Sequence, residues 1–138
     1  MPDLYRTTID LPARLVVVYA YVSDPATGPL VSSAKDVSTI DHDNGLIKSF
    51  TTKRGIVTYV AQAAPHYLEG VEQRKRFRIR YDIRCEAIGE AKTRVSIDVN
   101  FQPHGLRAKL QGPLPRLRTK GQLNDWLEQA RQHFSPKK

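Results

Sequence analysis

The sequence predicts an α+β fold: an antiparallel sheet of about five strands, with a long C-terminal helix and an N-terminal helix packed on one face. Three observations carry this. From Arg76 to Ala87 the residues alternate, with Phe77, Ile79, Tyr81, Ile83 and Cys85 on one face. Arg76, Arg78, Arg80, Asp82, Arg84 and Glu86 occupy the other, the period of a strand with one buried side. Thr93, Val95, Ile97, Val99 and Phe101 repeat the pattern after a turn around Gly89. Near the C-terminus, Leu123, Trp126, Leu127, Ala130 and Phe134 form one apolar stripe at helical spacing.

The elements follow in order. Residues 4–9 read as a short strand. Asp10-Leu11-Pro12 reads as a helix start, with an Asp that can cap free N–H groups and a Pro tolerated in the first turn. Leu15, Val18, Tyr19 and Val22 share a helical face, whereas the run Val16-Val17-Val18 favours a strand. The local signals are split, and residues 11–23 are read as helix, ended by Asp24-Pro25 and Gly28-Pro29. Asn44-Gly45 between Val37–Asp41 and Leu46–Phe50 is a hairpin signal, because both residues tolerate positive φ. Lys53-Arg54-Gly55 marks a second turn before a strand over 56–61. Residues 63–75 read as a longer polar loop. Residues 103–118 read as irregular, with Leu106, Ala108 and Leu110 a short edge strand. Thr119 and Gln122 fit a capping box for the last helix, and Pro136 stops it.

Charge suggests how the two alternating strands pair. One register sets Ile83 opposite Val95, Phe77 opposite Phe101 and Arg80 opposite Asp98. Sliding by one pair sets Asp82 against Asp98, and like charges directly opposite cost about 0.2–1 kcal/mol. The first register is preferred, although it places Arg84 against Arg94.

At 138 residues, 40% hydrophobic and 26% charged, the chain is expected to form one globular domain over 1–138 rather than a disordered or coiled-coil chain. Cys85 is the sole cysteine, which excludes an internal disulfide and a cysteine-based zinc site. The longest apolar run, Leu15–Val22, is short of the roughly 20 residues of a membrane-spanning helix. The opening Met1-Pro2-Asp3-Leu4-Tyr5-Arg6 has no apolar signal segment, and a chain stripped of its leader would read the same. The net charge is +8, and the basic excess lies wholly in the second half: residues 1–72 carry −2 and residues 73–138 carry +10.

Little in the chain carries chemistry. His42, His66, His104 and His133 are scattered, and Asp41-His42-Asp43 offers too few ligands for a metal. Cys85 points to the apolar face, where a thiol is inert filling. There is no phosphate-cradling glycine motif and no nucleophile beside a base. No enzymatic activity, cofactor or metal is expected. The candidate contact surface for an anion or partner is basic: Arg76, Arg78, Arg80 and Arg84 on one strand face, followed by Arg107, Lys109, Arg116 and Arg118. Arginines two apart on a strand stand about 6.5–7 Å from each other, close to the phosphate repeat of a nucleic-acid strand. No aromatic is interleaved on that face to stack bases. The candidate pocket residues are Tyr59, Phe77, Tyr81, Phe101 and Trp126, between helix and sheet.

The order of elements is similar to the helix-grip fold. Thr8-Ile9-Asp10-Leu11-Pro12-Ala13 and Asp41-His42-Asp43-Asn44-Gly45-Leu46-Ile47 also resemble phrases of the small domains of BamC-type bacterial envelope lipoproteins. The chain departs from that family in lacking a lipobox cysteine and in its β-branched first helix. The resemblance brings no catalytic residues. It implies a non-catalytic interaction or assembly domain of an envelope complex, meeting a protein partner through its basic sheet face or an edge strand, which would also serve dimerisation. The compartment is then the periplasm or envelope if a leader was removed, and otherwise the cytoplasm. Two alternatives stand beside it: a small-molecule or lipid carrier with a pocket between helix and sheet, and a nucleic-acid or anionic-lipid binder using Arg76–Arg84.

Overall fold

The computed structural model describes residues 3–30, 37–43, 46–52, 55–74, 77–103 and 114–134. Strand β1 (Asp3–Leu11) leads to helix α1 (Leu15–Ser23). Six strands follow: β2 (Thr39–Asp43), β3 (Leu46–Thr51), β4 (Gly55–Ala63), β5 (Tyr67–Arg74), β6 (Phe77–Gly89) and β7 (Lys92–Pro103). Helix α2 (Leu114–Phe134) comes last. The strands form one antiparallel sheet of seven, ordered β1-β7-β6-β5-β4-β3-β2. The sheet is larger than the five strands expected, but the α+β class and the helix-grip arrangement are those the sequence resembles.

Period-two alternation builds the core. Ile79, Tyr81, Ile83 and Cys85 of β6 and Val95, Ile97, Val99 and Phe101 of β7 are buried on the inner face. Val18, Tyr19 and Val22 of α1 and Leu123, Trp126, Leu127 and Ala130 of α2 join the same core. Burial of one face thus overrides the strand preference of Val16–Val18 and keeps α1 helical. Val16 and Val17 stay exposed on its other side.

Four expectations are corrected. Asp10 does not cap α1. It sits in β1 and takes two hydrogen bonds from Arg94 of β7, at 2.8 and 3.2 Å, while Arg14 is the N-cap residue with no side-chain cap. The β6–β7 register is the one that charge argued against: Asp82 faces Asp98 and Ile83 faces Ile97. Each aspartate is satisfied from its other flank, Asp98 by Arg6 at 2.6 and 3.0 Å and Asp82 by the Tyr67 hydroxyl at 2.6 Å. The same register puts Glu86 opposite Arg94 and Arg84 opposite Ser96, removing the Arg84–Arg94 clash of the alternative. The polar stretch 63–75 is mostly strand: β5 pairs with both β4 and β6. Helix α2 begins at Leu114, so Thr119 lies inside it and Pro115 falls in its first turn, where a missing N–H costs nothing. The proposed edge strand Leu106–Leu110 and the stop at Pro136 lie outside the described residues.

Candidate functional site

The strand that the sequence hid supplies the candidate site. On β5, Leu68, Gly70 and Glu72 pair with Ile83, Tyr81 and Ile79, all inward-facing, so this row also faces the core. Glu72 is 2% exposed, the one buried carboxylate among the described residues. Its Oε1 accepts a hydrogen bond from Arg74 Nη2 at 3.0 Å, and the Arg74 side chain is itself only 12% exposed. The hydroxyl of fully buried Tyr81 donates to the same Oε1 at 3.4 Å. Val57 of β4, the cross-strand partner of Glu72, is fully buried, as is its own neighbour Phe50. An ion pair and a phenol therefore stand on an otherwise apolar inner face, the few placed polar groups that an interior binding site uses.

A strap crosses in front of this row. After α1, Asp24 turns the chain: its carbonyl accepts from Thr27 N at 3.1 Å and Gly28 N at 2.7 Å, and its Oδ1 from Ala26 N at 2.9 Å. Tyr59 donates its hydroxyl to Ser23 O at 2.8 Å, and Trp126 Nε1 donates to Thr27 O at 2.7 Å. Gln122 of α2 reaches Pro29 O at 3.3 Å. Burial, then the charge of Asp24, pushes the Tyr59 phenol well above its ordinary pKa, so it remains a donor.

Of the pocket candidates, Tyr59, Tyr81, Phe101 and Trp126 are all buried in this interior, and Phe77 lies at the start of β6. Tyr59 and Tyr81 flank Gly70 from β4 and β6, while Phe101 lies on β7 beyond Ile79. Sequence reasoning missed Glu72, Arg74 and Gly70. The signal was the alternation Leu68, Gly70, Glu72, masked by a glycine and a charge at two inward positions.

The basic face is largely engaged within the sheet. Arg78, Arg80 and Arg84 are exposed on the outer side as expected. Arg80, however, faces Asn100 across the β6–β7 pair and is bound by Glu69 Oε2 at 2.6 Å, not by Asp98. The Arg84 guanidinium lies 5.5 Å from the centre of the Tyr67 ring. The Tyr67 hydroxyl is 2.7 Å from Glu69 Oε1 and 2.6 Å from Asp82 Oδ1; burial, then these two carboxylates, raises its pKa. Arg116 and Arg118 lie in α2, and Arg76, Arg107 and Lys109 lie outside the described residues.

An open groove of about 440 Å³ lies at the β1 edge, lined by Thr8, Ile9, Asp10, Arg94, Ser96 and Arg131, and includes none of the pocket candidates. Among the described residues, no three His, Cys, Asp or Glu gather as a metal site. No helix there is long and apolar enough to cross a membrane. His42 falls in β2, His66 in the β4–β5 turn, and His133 stacks on Tyr21 at 4.6 Å.

No family model matches the sequence, and no curated protein matches it. Solved structures do. A START superfamily protein from Mycobacterium smegmatis superposes with a TM-score of 0.65 at 13% identity, covering 92% of each chain. An aromatase/cyclase from a Streptomyces species gives 0.63 at 12% identity over 94% of each chain. An HSP90 activator from Plasmodium falciparum gives 0.63 at 14% identity, over 83% of this chain and 84% of its own. Identities this low establish the shared helix-grip fold alone. None of these three is a BamC-type lipoprotein, and one of them is an enzyme, so the fold does not choose the activity.

Proposed function

We propose that the protein, as a single α+β domain, is a non-catalytic carrier. It holds a small apolar molecule between α2 and the inner face of the sheet, with Glu72, Arg74 and Tyr81 receiving the polar end of that molecule. One observation carries this reading: a Glu–Arg pair, 2% and 12% exposed, on the inner face. A core that only has to pack gains nothing from such a pair, because removing two charges from water costs as much as their attraction returns. The fold likeness supports it in kind, since a START superfamily protein and an aromatase/cyclase share this architecture. The absence of a nucleophile beside a base in the sequence favours carriage over turnover.

Native mass spectrometry of the gently purified protein tests the reading. The expected result is a co-purified mass, lost on denaturation, that Glu72→Gln depletes. A bare protein mass in repeated preparations, with and without added hydrophobic extract, sinks it.

A second reading keeps the assembly role and the envelope placement. It draws on the HSP90 activator of like fold, on exposed Arg78 between Gln73 and Gln102, and on the two sheet edges, β1 and β2. Nucleic-acid binding is the weakest alternative. Arg80, Arg6 and Arg94 already hold carboxylates at 2.6, 2.6 and 2.8 Å, and each would have to leave one before meeting a phosphate.

A further inference from the structure

The inner row of β5 has a gap in it. Gly70 lies between Tyr59 on β4 and Tyr81 on β6, and two residues along stands Glu72. A Cβ placed on Gly70 would run into Leu30 Cδ2 and come within 3.7 Å of Tyr59 Cδ1. Leu30, 2% exposed, therefore fills the room that a side chain at position 70 would take. It belongs to the strap and not to the sheet.

The strap is a turn closed on itself. Its turn is closed by its own bonds to Asp24 and by Thr27 Oγ1 donating to Tyr21 O at 2.6 Å. Its ties to the rest of the protein include Trp126 and Gln122 of α2, each donating to one strap carbonyl, and Tyr59 of β4 donating to Ser23 O at the end of α1, where the strap begins. Each is a single, part-buried hydrogen bond, worth about 0.5–1.5 kcal/mol net once water can take its place.

We infer that Leu30 is a removable plug: it occupies the seat over Gly70, and a ligand takes its place when the strap lifts. This rests on the carrier reading and names the ligand's shape. A bare glycine backbone lets a body approach the sheet closely, and a tyrosine stands on each side. The seat suits a flat apolar ring system carrying a hydrogen-bonding group that reaches Glu72 or Arg74.

The test uses anilinonaphthalene sulfonate as the probe and stopped-flow fluorescence as the readout, on full-length protein. Leu30→Ala empties the seat and is expected to raise the association rate about tenfold, the scale of one lost contact. Gly70→Ala in the Leu30→Ala background refills the seat and returns binding to the wild-type level. Trp126→Phe keeps an aromatic ring, though a smaller one, and loses the donor to Thr27, so association and dissociation both quicken. Leu30→Val, with thermal melts of every variant, covers the case in which Leu30→Ala does not fold. If Leu30→Ala gains nothing while the wild type carries a co-purified molecule, the plug falls and the carrier stands. If the gain persists equally with Ala at position 70, the probe reports loosened packing and the plug also falls. If neither the wild type nor Leu30→Ala takes up any ligand, both readings fall together.

Discussion

Replacing Arg74 with Leu leaves the Glu72 carboxylate, 2% exposed, without its guanidinium among Val57, Ile79 and Tyr81. Breaking a buried pair from one side costs about 3–5 kcal/mol, because the stranded charge keeps its desolvation penalty. Glu72→Leu costs less, since the Arg74 side chain it strands is 12% exposed, against 2% for Glu72. Replacing both with Leu removes both charges, and its cost falls to within about 2 kcal/mol of the wild type. For a chain of this size the Arg74→Leu loss corresponds to a melting temperature about 10–20 °C lower. Urea unfolding followed by circular dichroism and by the single tryptophan, Trp126, measures all four corners of this cycle. The double variant then goes to native mass spectrometry, where it is expected to be folded and empty. If Arg74→Leu costs less than about 1 kcal/mol, or the double variant costs the sum of the singles, the buried pair is not what holds this site.

Other perturbations follow from the same geometry. Gly28→Ala drives a Cβ into the Val22 carbonyl and to 3.0 Å from Asp24 O, both backbone, and is expected to lower stability by about 1–3 kcal/mol in urea melts. Asp10 is held below the usual carboxylate pKa by its hydrogen bonds from Arg94 first, and then by the charges of Arg94 and Lys92. Its folded pKa thus lies under its unfolded one, so its stabilisation is complete above about pH 4 and lost as pH falls through the folded value. Urea midpoints of Asp10→Asn and the wild type are expected to differ slightly at neutral pH and converge in acid. The Cys85 thiol, 3% exposed, is pushed up to about 11 by burial, so at neutral pH an aromatic disulfide reagent modifies it only as fast as the protein opens. Rapid modification of the folded protein would contradict its placement.

What the sequence disclosed was whatever one element decides alone. Val95–Phe101 and Ile79–Cys85 alternate because each strand has one dry face, and Leu123, Trp126, Leu127 and Ala130 fall on one stripe because α2 covers that face. Decisions shared between distant elements stayed hidden. Asp10 looked like a cap because its partner Arg94 is 84 residues away. The register argument weighed Asp82 against Asp98 in isolation, although Arg6 and Tyr67 settle them from the flanking strands. The candidate site was the least legible part. A glycine and an ion pair at inward positions make β5 read as a polar loop, and those departures from pattern are what mark it as the candidate site.

The strand order has a consequence for how the chain assembles. From β2 to β7 each strand bonds to its neighbour in sequence, so the meander grows by local steps. Strand β1 is the exception, for its partner is β7, with Arg6 meeting Asp98 at a separation of 92 residues. On a ribosome, β1 emerges ahead of the rest of this sheet and waits for its partner until β7 follows. The first-made strand of this sheet is therefore among the last to be zipped in, and until β7 arrives its edge is open to a chaperone or to another unfinished copy.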